Sequence, residues 1–203
     1  MLATRSAGKL RELRPLFRDA GLDVIDLTEA GVAETRAEES VEAHDTFEAN
    51  ALAKARFFHA VCGGLEVVAD DSGLCVDALG GAPGVRSKRW SGGTGVTAQR
   101  IDAANNAKLV ASLEGVTMRQ ARFVCAAAWH GAAGELVTTG TVEGSILTTP
   151  SGSHGFGYDP YFYAAELGMT LADATTEQKR LVSHRGRAFD ALLAALRTRG
   201  VIR

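Results

Sequence analysis

Twenty-three glycines are unevenly spread, nine of them crowded into three clusters, and their distribution constrains the fold of this chain more than any other feature. Gly80-Gly81-Ala82-Pro83-Gly84, Gly92-Gly93-Thr94-Gly95 and Gly152-Ser153-His154-Gly155-Phe156-Gly157 each punctuate the chain as a loop, because glycine adopts turn conformations that other residues disfavour. The segments between them are short and change period. After an apolar start at Met1 to Thr4 and a Ser6-Ala7-Gly8-Lys9 loop, Leu10, Leu13, Leu16 and Phe17 share one helical face up to Gly21. Strand, loop and helix are therefore expected, and Leu22 to Leu27 alternates as a second strand. Thr46 to Val61 is expected to be a helix opened by Asp45 or Thr46, with Phe47, Leu52, Ala55 and Phe58 turned inward and Lys54 within it.

Leu65 to Ala69 is a β-rich run expected to stop at Asp70-Asp71, with Leu74-Cys75-Val76 resuming after a turn. Thr97 to Leu113 has a helical pattern. Arg122 to Trp129 and Glu135 to Leu147 are strand-like and separated by His130 to Gly134, which suits a hairpin. Thr175 with Gln178 three residues on forms a capping-box signature, and Ala188, Leu192, Leu193 and Leu196 stripe a last helix up to Gly200. Mixed elements of this kind make an α/β or α+β sheet protein. With no internal repeat or long linker, one compact unit is the default, and the glycines at 91–95 are the candidate lobe boundary.

Composition narrows the partners. At 203 residues with 46% hydrophobic and 23% charged, the chain can bury a sizeable core as one large domain or two lobes. A formal net charge of −2 does not suit a nucleic-acid coat, so an anionic ligand must be met by locally placed cations, and a small anion fits better than a duplex. Cys62, Cys75 and Cys125 are odd in number and far apart, which points to reduced core thiols and a cytoplasmic setting. No apolar run approaches the roughly 20 residues of a membrane span, and Met1-Leu2-Ala3-Thr4-Arg5 lacks the apolar core of a signal peptide. Neither a nucleic-acid nor a membrane partner is expected.

Four places could carry chemistry. Asp70-Asp71-Ser72-Gly73 follows a buried-type strand, and two adjacent carboxylates there repel unless a hard divalent cation such as Mg²⁺ takes one of them. The same four residues also suit a plain turn. Thr4 to Lys9 opens a helix with unpaired N–H groups, hydroxyls and a lysine, a phosphate cradle that lacks the spacing of a Walker A loop; a helix cap beside a solvated lysine would look the same. Ser151 to Asp159 combines glycines with Phe156, Tyr158 and Asp159, which offer a stacking face and an acceptor, or an ordinary loop with an aromatic anchor. Lys179 with Ser183-His184-Arg185 is a cationic cluster before or at the start of the last helix, suited to oxygen acceptors or simply solvated there. The five histidines show no zinc spacing, and there is no G-x-S-x-G elbow, which leaves metal-assisted phosphate chemistry.

Taken in order, Ala3-Thr4-Arg5-Ser6-Ala7-Gly8-Lys9, Asn50-Ala51-Leu52-Ala53-Lys54-Ala55, Asp70-Asp71-Ser72-Gly73-Leu74, Gly80 to Gly84, Gly155 to Pro160 and Ser183-His184-Arg185 resemble the Ham1/RdgB-type noncanonical purine NTP pyrophosphatases, also called inosine triphosphatases or XTP/dITP diphosphatases. The resemblance runs from the first helix to the last. It implies a single catalytic domain over residues 1–203, built as a two-lobed α/β protein with an elongated mixed β-sheet flanked by helices and an active site in the cleft between the lobes. It also implies a cytoplasmic homodimer and Mg²⁺-dependent hydrolysis of ITP, dITP and XTP to the monophosphate and pyrophosphate. By position, Asp71 matches the general base and metal-linked carboxylate, and Ser72 a substrate contact. Thr4, Arg5, Ser6, Ala7, Gly8, Lys9, Lys54 and Lys179 match phosphate-binding positions, while Phe156, Gly157, Tyr158, Asp159, His184 and Arg185 match base-binding ones. A second metal-binding glutamate is expected twelve residues before Lys54, at Glu42, with Glu38, Glu39 and Glu48 as neighbouring alternatives.

Two positions depart from the family pattern. Ser6 stands where the family usually has asparagine, and Glu48-Ala49-Asn50 moves an acidic group one helical position, about 100° around the axis. The physical reading is in-line attack of water on the α-phosphorus, with Asp71 orienting or deprotonating the water and Lys9, Lys54 and Lys179 neutralising the leaving group. Donors from His184 and Arg185 would suit a 6-oxo group, and Asp159 would accept the N1–H. The rivals are a non-catalytic nucleotide-binding module and a related pyrophosphatase of pyrimidine or methylated nucleotides.

Overall fold

A computed structural model of the chain describes residues 1–92 and 97–202, without the side chain of Glu39. The glycine run expected at a lobe boundary therefore lies largely outside the described residues.

The helices are α1 (Ala7–Asp19), α2 (Ala37–Val41), α3 (Phe47–Val61), α4 (Ala98–Ser112), α5 (Thr176–Val182) and α6 (His184–Thr198). Their ends follow from short polar side chains. Ser6, Thr46, Thr97 and Thr175 cap α1, α3, α4 and α5 by accepting a backbone N–H of the first turn, and Gln178 completes a capping box at α5. The strands are β1 (Val67–Val76), β2 (Gln120–Gly131), β3 (Gly134–Ile146), β4 (Phe162–Ala164) and β5 (Met169–Thr170), in the sheet order β1-β2-β3-β4-β5. β4 pairs antiparallel with β3 and with β5. The parallel contribution comes from Leu2, which bridges both Asp26 and Val68.

Two expectations about strands change. Leu22 to Leu27 does not form one; only Asp26 takes part in a bridge. The carboxylate of Asp26 accepts the N–H groups of Thr28 and Glu29 at 2.7 and 2.9 Å, which turns the chain away instead of extending it. Conversely, β1 does not stop at the aspartates but runs unbroken through Asp70-Asp71-Ser72-Gly73 to Val76. These residues favour turns only when their side chains must satisfy themselves locally. Here the carboxylates of Asp70 and Asp71 are met by Lys9, Arg185 and Asn50 from elsewhere in the chain.

The chain divides into two compact units, one of residues 1–71, 125–140 and 184–203, the other of residues 72–124 and 141–183. Their boundaries fall inside β1, β2 and β3 and at the junction of α5 with α6, not at a glycine-rich linker. The first unit packs Leu13, Leu16 and Phe17 of α1 and Phe189, Leu192 and Leu196 of α6 around Leu2, Val68 and Ala127, with the Phe17 and Phe189 rings edge-on at 5.7 Å. The second packs Leu74, Leu109, Phe123, Ile146, Phe162 and Leu171. Among the described residues no helix is long and apolar enough to cross a membrane.

Candidate active site

In the first unit the charged side chains gather on β1. Successive strand residues face opposite ways, so Asp70 and Asp71 have different partners. Lys9, from the first turn of α1, reaches Asp70 Oδ2 at 2.9 Å, and Arg185, from the first turn of α6, reaches it at 3.2 Å. Arg185 also pairs with Glu12 of α1. Burial by itself would raise the Asp70 pKa, but the charges of Lys9, Arg185 and Lys54 outweigh it and hold the carboxyl well below the usual range. Burial likewise opposes the charge on Arg185, and Glu12 and Asp70 restore it. Asp70 is thus a fixed anion around which cations are organised.

Asp71 sits differently. Its Oδ2 accepts from Asn50 Nδ2 at 2.9 Å, and Asn50 is only 1% exposed. Burial raises the Asp71 pKa above its ordinary value, against Lys9, Lys54 and the Asn50 hydrogen bond, and Glu42 pushes the same way as burial. Asn50 itself is fixed by His44, whose N–H donates to Asn50 Oδ1 at 2.9 Å and whose carbonyl accepts from Nδ2 at 3.2 Å. One turn further along α3, Lys54 donates to the Asp70 carbonyl at 2.8 Å and pairs with Glu42. Burial works against the Lys54 charge, but Glu42 and Asp70 leave its pKa above the usual value. For Lys9 burial prevails and lowers the pKa.

The other N-terminal loop residues have local duties. Ser6 caps α1 by accepting the Lys9 N–H at 3.3 Å, and Thr4 Oγ1 accepts the Ser6 N–H at 3.2 Å. Ala7 and Gly8 form the first turn, whose N–H groups have no acceptor within the helix. Arg5 turns to Glu38, which it grips through two nitrogens at 2.7 and 2.8 Å. That pairing separates the alternatives to Glu42. Glu38 is engaged by Arg5, Glu48 is exposed on the first turn of α3, and the side chain of Glu39 lies outside the described residues. Glu42 is electrostatically linked to Asp71.

In the second unit the loop before β4 is held from within. Asp159, 3% exposed, accepts the Phe156 N–H at 2.9 Å and Lys179 Nζ at 2.6 Å through Oδ2, and that ammonium lies 5.2 Å from the Phe156 ring centre. Tyr158 offers no stacking face: its ring is buried and its hydroxyl donates to the Ser87 carbonyl at 2.9 Å, as a phenol removed from water must. The expected cationic cluster is also divided. Lys179 lies in α5 and pairs with Asp159, whereas His184 and Arg185 open α6 and are buried, Arg185 against Glu12 and Asp70. Ser72, in β1, is partly buried.

Asn50, Glu12, Asp102 and Asn106 were not among the expected site residues. Two carried a signal: Asn50 precedes Lys54, and Glu12 follows Lys9, by one helical turn, so each shares the lysine's face.

The carboxylates of buried Asp71 and partly exposed Glu42 repel each other, and a hard divalent cation would fit them, since its charge would relieve the repulsion. Among the described residues no group of three or more His, Cys, Asp or Glu side chains is gathered that could hold a metal ion. Buried carboxylates interleaved with lysines and an arginine on an α/β scaffold form the class of site that handles a multiply charged anion. The model of the Ham1 family matches residues 1–195, and the chain belongs to that family. It is 49% identical over 200 residues to the dITP/XTP pyrophosphatase of Frankia alni, covering 97% of this chain and 96% of that protein. It is 45% identical over 205 residues to that of Bordetella parapertussis, covering 100% and 92%. The Ham1 protein of Staphylococcus aureus superposes with a TM-score of 0.81 at 36% identity, covering 98% of this chain and 97% of that one. A nucleoside-triphosphatase, or dITP/XTP pyrophosphatase, from Mycobacterium abscessus does so with 0.71 at 43%, covering 96% and 97%.

Proposed function

We propose that this chain hydrolyses noncanonical purine nucleoside triphosphates, ITP, dITP and XTP, to the monophosphate and pyrophosphate, removing them from the nucleotide pool. The observation that carries it is the division of labour at β1: Asp70 is neutralised by Lys9 and Arg185, while Asp71 is oriented by the Asn50 amide and raised in pKa by its burial. Full-length relatives named for this activity support the same reading.

Water attacks the α-phosphorus in line with the bridging oxygen. As the new P–O bond forms, the bond to the β-phosphate breaks, pyrophosphate leaves, and the proton of the water passes to a carboxylate oxygen of Asp71. Lys9 and Lys54, whose ammonium groups converge on the Asp70 carbonyl at 3.4 and 2.8 Å, hold phosphate oxygens together with the free N–H groups of Ala7 and Gly8. Thr4, Arg5, Ser6, Ser72 and Lys179 complete the triphosphate contacts in this reading. Mg²⁺, held by Asp71 and Glu42, would supply charge neutralisation at the phosphate oxygens.

Phe156 to Asp159 form the base loop, with Phe156 as the stacking surface, and His184 and Arg185 favour a 6-oxo group over an amino group. A mispaired buried donor costs about 1–3 kcal/mol, so several mismatches are needed to reject ATP. A cytoplasmic homodimer belongs to the same reading, and the three free thiols, Cys62, Cys75 and Cys125, accord with a reducing compartment.

Pyrophosphate release from a panel of ITP, XTP, dITP, GTP, ATP and dUTP, with Mg²⁺ and with EDTA, tests the assignment. Release is expected from the first three, with EDTA abolishing it. Asp71→Asn should reduce kcat by at least about a hundredfold, on the scale of losing a general base, while nucleotide binding persists. Near-normal turnover by that variant, or a preference for dUTP, would overturn the reading.

A further inference from the structure

Helix α4 closes two side chains on a single residue of the base loop. Asp102 Oδ2 accepts the Gly157 N–H at 2.9 Å, and Asn106 Nδ2 donates to the Gly157 carbonyl at 3.0 Å. Residues four apart on a helix share a face, so both backbone polar groups of Gly157 are gripped by one rigid element. The amide orientation of Asn106 is fixed by chemistry, since only its NH₂ can donate to a carbonyl. Gly157 has a φ of 63°, and for glycine the local sterics leave the peptide orientation open, so outside partners must set it. Asn105 extends the grip: it donates to the Ser87 carbonyl at 3.1 Å, and that carbonyl also accepts the Tyr158 hydroxyl at 2.9 Å. Gly157 and Tyr158 are therefore both registered against α4, the first directly and the second through Ser87.

We propose that Asp102 and Asn106 are positioning residues that fix the Gly157 peptide, and through it the Phe156 ring beside it, so that recognition of the base depends on α4. The proposal rests on Phe156 to Asp159 being the base loop. A merely structural clamp would weaken every ligand or only the fold; a positioning clamp weakens ligands that carry a base and spares those that do not.

The experiment uses the full chain and an Asp102→Ala/Asn106→Ala double variant, with Asp102→Asn as the conservative change and Asn106→Ala alone should the double variant not fold. KM and kcat are measured for ITP, and inhibition is measured with inorganic tripolyphosphate, which has the phosphates without a base. The double variant should raise KM for ITP about tenfold, the scale of losing two net hydrogen bonds, with kcat and the tripolyphosphate constant within about twofold of the parent. Asp102→Asn should recover most of the loss, because an amide oxygen still accepts the Gly157 N–H. An unchanged KM for ITP, or equal weakening of ITP and tripolyphosphate, overturns the proposal and leaves the pyrophosphatase reading standing. A parent protein that releases no pyrophosphate from ITP overturns both, and does so before any variant is compared.

Discussion

Asn50 shows how one side chain can govern the site. Its amide group carries a short chain of hydrogen bonds, from the main chain of His44 through Asn50 to Asp71 Oδ2, with Asn50 and Asp71 both buried. Removing it leaves the fold's larger contacts in place but frees the carboxylate to rotate away from the geometry that attack on phosphorus needs. Asn50→Ala is therefore expected to lower kcat by about tenfold to a hundredfold with a much smaller change in KM, since misplacing a reacting group by an ångström carries a penalty of that size. Steady-state kinetics check this, and an unchanged kcat would remove Asn50 from the site. At this scale the residue types were legible in the sequence. Asp71, Lys9 and Lys54 stood out by type and spacing, whereas the engagement of Arg185 by Glu12 and Asp70 depends on contacts 173 and 115 residues apart in the chain.

At the scale of elements, the base loop illustrates why glycine positions are not equivalent. Gly155 has a φ of 76°, and a Cβ added there would run into the Asp159 carboxylate. Gly157 has a φ of 63° but open space around the same direction. Alanine at either site bears about 1–2 kcal/mol of left-handed backbone strain. At Gly155 it must also displace the carboxylate that holds the Phe156 N–H and Lys179. Gly155→Ala is expected to lower Tm more than Gly157→Ala, and equal shifts in thermal melts would show that the Asp159 contacts contribute little. Helix ends and the β2–β3 hairpin follow from local signals, namely Thr46, Thr97 and the Thr175–Gln178 box and the glycines around residues 131–134. The path of β1 does not, because Asp, Ser and Gly favour turns wherever no distant partner outbids their local hydrogen bonds.

Across the whole molecule, acid stability should trace to carboxylates held as anions. Asp26 is the clearest case outside the site: it accepts two backbone N–H groups and pairs with Arg14 at 2.7 Å, and the hydrogen bond from Glu29 N–H, then that from Arg14, lowers its pKa against its burial. A folded pKa below the unfolded 3.8 means that this stabilisation is complete above pH 3.8 and is lost as pH falls through the lower folded value. Asp26→Asn should destabilise the protein by about 1–2 kcal/mol at neutral pH. The gap from the parent should shrink in urea melts below pH 3.8, and a gap that does not vary with pH would refute the assignment.

The sequence by itself determined the periodicity of α1, α3, α4 and α6, the hairpin, the loops, and the presence of a phosphate-suited set of lysines and carboxylates, because these depend on neighbours within a few residues. Tertiary structure alone decided that Asp70 and Asp71 lie within a strand, that Lys179 serves Asp159 while Arg185 serves Asp70, and that the units part inside β1 to β3. The physical reason is that a buried charge takes whichever partner the packed backbone brings to it, and that choice is made between segments far apart in the chain.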